Sequence, residues 1–352
     1  MKSTPLLLLL VAILFVPMFS LAQDAEAEDT GLQVSGSADV YYKYDFSGTG
    51  NIGTSFADDQ NSISIGMLDL LFEKTTGKTS FVGEIAFGPR STGNAGSVGP
   101  VSDEAGYAPR IQNLYVSYAL TEKLSITGGY MGTFVGYEVI SPAGNFNYST
   151  SYLFTNGPFQ NAGVKLDYAI TDRIGLMAGV FNPWNVFTAP DSIGPSSFGA
   201  QLYLSPVDGW DAYINFVTGG ESGTEVDLTT TFSVSDKLML GVNAASYTDG
   251  GEGAEEVSFA GGALYLNYAM TEAAALGLRA EYFQASATSG ILSADLDGTV
   301  TSVTLSGNFG SGGLVFIPEL RFDTASESIF VDGEGNDSNS AVQAVIAAVY
   351  AF

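Results

Sequence analysis

Apolar and polar residues alternate along most of this chain. In 33–46, Val34, Gly36, Ala38, Val40, Tyr42, Tyr44 and Phe46 hold the even positions, and Ser35, Ser37, Asp39, Tyr41, Lys43 and Asp45 the odd ones. Successive side chains of a strand point to opposite faces, so a period of two gives one apolar and one polar face. The pattern returns sixteen times, near 33–46, 63–73, 79–88, 111–120, 124–134, 160–168, 174–182, 197–204, 210–219, 224–234, 238–248, 257–268, 274–284, 298–309, 314–324 and 341–352. Segments of about ten residues exceed the five or six of an average soluble strand and suit a tilted strand crossing a bilayer.

The connections sort by length. Thr75–Lys78, Thr121–Lys123, Thr171–Arg173, Ser205–Gly209, Ser235–Lys237, Thr271–Ala273 and Gly310–Gly313 are short. Those between them, 47–62, 89–110, 135–159, 183–196, 249–256, 285–297 and 325–340, are mostly long, with 220–223 the brief exception. Short turns at one end and long loops at the other are the arrangement of outer-membrane barrels. Aromatics sort too. Phe72, Phe81, Tyr118, Tyr168, Trp210, Phe232, Tyr268, Phe309 and Phe352 stand toward the short turns, and Tyr44, Phe87, Tyr130, Phe216, Tyr282 and Phe322 toward the long loops. Two such girdles mark the two membrane interfaces. The expected fold is all-β: a transmembrane antiparallel up-and-down β-barrel of about 16 strands, with short periplasmic turns and long extracellular loops.

The N-terminus reads as a signal peptide over 1–22, from Lys2, the apolar run Leu6 to Phe15 and the small-residue site Ser20-Leu21-Ala22. Residues 23–32 read as a flexible acidic leader and 33–352 as a single barrel domain. The net charge of −26 argues against a nucleic-acid partner. With neither Cys nor His, disulfides, thiolate sites and the commonest general base are excluded, and no enzyme and no cofactor are expected. Asp332 to Asp337 loosely resembles a calcium loop but lacks its sixth-place Gly and twelfth-place Glu, so no metal site is assigned.

About sixteen strands leave room for water inside, where about eight would fill with side chains. The face opposite the apolar positions carries Asp39, Lys43, Asp45, Glu84, Lys165, Asp167, Asp211, Arg279, Glu281, Glu319, Arg321 and Asp323, which are the candidate pore-lining residues. Acidic groups outnumber basic ones, which favours cations; charges that merely avoid lipid and neutralise one another account for the same rows. The 135–159 connection is too long for a turn and rich in aromatics that are costly to leave in water. It is the candidate constriction loop, through Tyr137, Glu138, Asn145, Phe146, Asn147, Tyr148, Tyr152 and Phe154. The alternatives are a loop packed over the mouth or against a neighbouring subunit.

Gly136-Tyr137-Glu138, Asn145-Phe146-Asn147-Tyr148-Ser149, Ser151-Tyr152-Leu153-Phe154, Pro158-Phe159 and Val180-Phe181-Asn182-Pro183-Trp184-Asn185 resemble the beta-barrel porin-2 family, also called OmpL-like. The resemblance is specific over roughly Ile111 to Asn185. Thr150 stands where the family's loop often has Arg, Gln160 and Asn161 where a His often follows, and Pro183-Trp184-Asn185 in place of Gly-Trp-Asp. The resemblance implies a pore more than a particular solute.

The reading is an outer-membrane porin of a Gram-negative bacterium, passing small hydrophilic solutes or ions by passive diffusion with a mild cation preference. Its partners are outer-membrane lipid and lipopolysaccharide, and a homo-oligomer, a trimer, is open to it. The alternative is a closed structural or adhesive outer-membrane barrel acting through its surface loops.

Overall fold

The computed structural model describes residues 30–92, 110–219, 221–249, 257–286 and 297–352. The signal segment 1–22 and the leader as far as residue 29 lie outside the described residues. Thr30, at the leader's end, is tied to Thr75 by its backbone N–H and its hydroxyl.

The alternating segments are strands. The first half of the barrel is β1 (Gln33–Asp45), β2 (Ser62–Thr76), β3 (Thr79–Phe87) and β4 (Arg110–Ala119). Next come β5 (Leu124–Gly132), β6 (Gln160–Thr171), β7 (Ile174–Phe181) and β8 (Ser197–Val207). The second half opens with β9 (Trp210–Gly219), β10 (Gly223–Ser235), β11 (Leu238–Asp249) and β12 (Val257–Thr271). The chain continues through β13 (Ala274–Ser286), β14 (Gly298–Ser311), β15 (Leu314–Ala325), the two-residue β16 (Phe330–Val331) and β17 (Asp337–Ser338), and the final β18 (Ser340–Ala351).

Leaving aside β16 and β17, each strand pairs antiparallel with the next, and β1 closes on β18 through pairs such as Ala38 with Tyr350 and Tyr42 with Ile346. Closure leaves no free edge, which a sheet in hydrocarbon requires because no water is there to satisfy an unpaired N–H or C=O. Outward residues such as Val116, Leu166, Leu264 and Leu320 are exposed, as lipid-facing positions are. Tyr118, Tyr168, Trp210, Tyr268 and Phe352 stand exposed toward the short turns, and Phe216, Tyr282 and Phe322 toward the long loops. Tyr130 is instead covered by Phe187, with ring centroids 4.9 Å apart.

Three features differ from the pattern-based reading. Several strands run farther into the short turns, because paired backbone continues after the apolar alternation has stopped. The 325–340 connection holds the β16–β17 hairpin, whose turn is closed by Asp332 accepting the backbone N–H groups of Glu334 and Asn336. Those hydrogen bonds hold the Asp332 carboxyl below the usual range, and among the described residues no cluster has the makings of a metal site. The 135–159 connection contains a one-turn helix, α1 (Tyr152–Asn156), capped by the Ser151 hydroxyl accepting from the Phe154 N–H.

Candidate functional site

The long loop from Thr133 to Phe159 lies inside the barrel, against the inward face of an arc that runs from β10 through β15 and β18 to β1. The backbone of Tyr148–Leu153 explains why it stays there. This stretch makes little regular structure, so its buried peptide groups need partners from elsewhere. The wall provides them. Glu319 accepts the N–H groups of Tyr148 (2.8 Å) and Ser149 (3.1 Å), and Glu281 those of Tyr152 (2.9 Å) and Leu153 (2.8 Å). Glu138, from the loop itself, accepts from Ser151 at 2.7 Å. In the other direction Arg279 donates to the carbonyls of Ser149 and Thr150, and Arg321 to that of Thr150 at 2.7 Å.

Side chains complete the clamp. The Tyr148 hydroxyl donates to Asp39 and the Tyr152 hydroxyl to Asp323. Asn147 donates to Ser306 at 2.7 Å, and the Asn145 amide closes a turn with the backbone of Val139. Phe154 packs with Phe56 and Phe159, and Tyr137 stacks on Tyr265 with centroids 4.2 Å apart. Burial pushes the Tyr148 and Tyr152 hydroxyls far up from their ordinary value, so both remain donors. Two glycines make room: a Cβ at Gly277 would collide with the Phe146 ring, and one at Gly241 with the Tyr137 hydroxyl.

The twelve charged residues expected on the polar face divide into three groups, Lys165 and Asp167 forming a buried pair of their own on β6. Asp39, Lys43, Asp45, Arg279, Glu281, Glu319, Arg321 and Asp323 are buried where the 47–61 and 133–159 loops cover the wall. Arg279 and Arg321 have no exposed side-chain surface at all. The i, i+2 spacing pairs Arg321 with Asp323 (2.8 Å) and Lys165 with Asp167 (3.0 Å). It does not pair Arg279 with Glu281 directly. Arg279 reaches Glu138 at 2.6 Å, which leaves Glu281 free for the loop backbone. Glu84 and Asp211 lie on the opposite wall and remain partly exposed.

Sequence reasoning missed Arg90. It lies in the 89–110 connection among Gly, Ser and Pro, where no strand pattern points to it. In the structure it is buried, donates to the carbonyls of Ile140 and Tyr148, and lies 4.8 Å from the ring centroids of both Phe56 and Tyr148. It also missed Asp69, Glu225 and Asp227, which are buried and point inward. Glu225 and Asp227 carried a readable signal, since they stand two apart in an alternating strand like the other charge pairs.

A closed 16-stranded barrel with an apolar outer band, a charged inner wall and a long loop folded across its interior defines the class: an outer-membrane channel. The chain belongs to the family described as putative beta-barrel porin-2, OmpL-like, whose pattern matches residues 31–352. Among curated sequences none matches closely enough to count as a relative. The fold is shared with the outer-membrane channel DcaP of Acinetobacter baumannii, at 15% identity and a TM-score of 0.63, covering 91% of this chain and 97% of that one. It is shared with OmpT of Vibrio cholerae, at 11% identity and a TM-score of 0.60, covering 93% of this chain and 100% of that one. The anion-selective porin from Comamonas acidovorans is similar at 11% identity and a TM-score of 0.61, covering 92% and 100%.

Proposed function

We propose that this chain is a porin of a Gram-negative outer membrane that passes small hydrophilic solutes or ions by passive diffusion, with a mild cation preference. The observation that carries the reading is the asymmetry of the inner wall. The loop is bound chiefly to the β10–β1 arc, while Glu84, Asn113, Tyr115 and Ser117 on β3 and β4, and Asp211 and Tyr213 on β9, keep partial exposure. A path along that second arc is polar and carries carboxylates. Asp69, Glu225 and Asp227 add to the acidic side of the interior and Arg90 to the basic side, so the sign stays negative. A negative interior raises the local concentration of cations. This is the opposite sign to the selectivity named for the Comamonas acidovorans porin. The same reading makes Tyr137 to Phe154 the constriction. It also admits a homotrimer; one solved structure of the Vibrio cholerae OmpT is described as a trimer form.

One observation favours a closed barrel acting through its loops. Ile52, Tyr152, Leu153, Phe259, Phe283 and Phe330 form an apolar cluster inside the loop-side half of the barrel. Planar-bilayer recording of the refolded protein decides between them. Steady conductance with a reversal potential favouring K⁺ over Cl⁻ is expected; a silent bilayer supports the closed barrel, and Cl⁻ preference removes the charge half of the reading.

A further inference from the structure

At the short-turn end the inner wall changes character. Ala269, Ala275, Val315, Ile317 and Val349 replace the charged rows there, and Phe146 of the interior loop closes over them. Together they bound a cavity of about 440 Å³. That volume lies within the roughly 300–1,000 Å³ of small-molecule sites. Its lip is made by the short turns, with Asp236, Glu272 and Lys237 giving one net negative charge. A wall that only guides hydrated solutes has no use for such a bowl, since apolar surface facing water is unfavourable.

We propose that this bowl binds the apolar body of a small organic cation, an aromatic or alkyl ammonium, at the periplasmic end of the channel. The proposal rests on the cation-preferring reading above and narrows it to a solute class. The apolar wall and the Phe146 ring take the body. The two carboxylates at the lip and the acidic interior favour a positive head over a neutral or negative one. Phe146 reaches this position only because residue 277 is Gly. The cavity's roof is therefore part of the same loop that is clamped to the charged wall above it.

The test uses the mature chain in lipid nanodiscs, with empty nanodiscs as background, and three probes of one shape: benzylammonium, benzyl alcohol and benzoate. Ligand-observed NMR titration reads the affinities. Benzylammonium is expected to bind about two- to tenfold tighter than benzyl alcohol, with benzoate weakest, as two exposed carboxylates allow. Asp236→Asn combined with Glu272→Gln should bring benzylammonium and benzyl alcohol together. Ala269→Phe and, independently, Val315→Phe fill the bowl and should abolish binding of both. Benzoate binding as well as benzylammonium, or binding that survives in a folded filling variant, overturns the proposal. The K⁺ over Cl⁻ reversal potential of the same preparation reports the parent reading separately, so the two failures are distinguishable.

Discussion

The β10–β1 arc and the β3–β9 arc of this barrel share one construction rule and differ in what their polar face meets. On the first arc the inward charges are dry. Glu281, Glu319, Arg279 and Arg321 are committed to peptide groups of the interior loop at 2.7–3.2 Å. On the second, Glu84, Asn113, Ser117, Asp211 and Tyr213 stay partly exposed, with the buried Lys165–Asp167 ion pair the exception among its charges. The same residue types at the same spacing are thus anchors on one side and candidate pore lining on the other. A buried charge is tolerated only with partners, and an irregular loop backbone offers an unusual number of them. The loop needs the charges as much as the charges need the loop.

Removing the loop should erase the difference between the arcs. Deleting 139–153 strips the loop-backbone partners from Arg279, Glu281, Glu319 and Arg321 and should raise single-channel conductance severalfold; a conductance equal to that of the parent protein would mean that the loop does not narrow the path.

A single cut through the clamp comes next in size. Arg279→Met leaves Glu138 buried without its cation and the Ser149 carbonyl without this donor, while the Thr150 carbonyl keeps Arg321. Breaking a buried pair costs about 3–5 kcal/mol, to be read as a lowered urea midpoint for the refolded barrel. A midpoint that does not move would show that the ion pair is not part of what holds the loop.

The pH dependence of selectivity tests the first-loop rim of the interior. The Asp58 carboxyl reaches solvent but is crowded by protein, and this desolvation pushes its pKa up to about 6, against the opposing pull of Lys43. Above that pH it carries a negative charge, and below it the group is neutral. The K⁺ over Cl⁻ preference should therefore fall as pH drops from 7 to 5, and Asp58→Asn should show the lower value throughout. A pH response that persists unchanged in Asp58→Asn assigns the titration to another group.

The smallest effect is expected on the open arc. Asp211 accepts from the Tyr203 hydroxyl at 2.7 Å but anchors no loop backbone. Asp211→Asn should shift stability by less than about 0.5 kcal/mol while reducing cation preference slightly. A loss comparable to that of Arg279→Met would erase the distinction between the two arcs.

Most of the fold was legible because alternation and loop sorting are local. Val34 to Phe46 states its two faces without reference to any other strand, and β18 states the same two faces from Val342 to Tyr350. What the charges do was less legible. The row Glu319, Arg321, Asp323 reads identically whether it faces water or a loop, and only the arrival of Tyr148 and Ser149 from 170 positions away decides. Arg90 was illegible for the same reason, since its partners Ile140 and Tyr148 belong to another connection.

By itself, then, the sequence determined the strands, their inner and outer faces, the two ends of the barrel and the family motifs of the 135–159 connection. Each of these depends on spacing within one segment. The tertiary structure decided which inward charges are buried and where the long loop lies. It also decided that β16, β17 and α1 form inside connections, and that an apolar bowl opens among the short turns. Closing the barrel sets residues far apart in the chain on one curved wall, and the hydrogen-bond needs of an irregular backbone then choose among them.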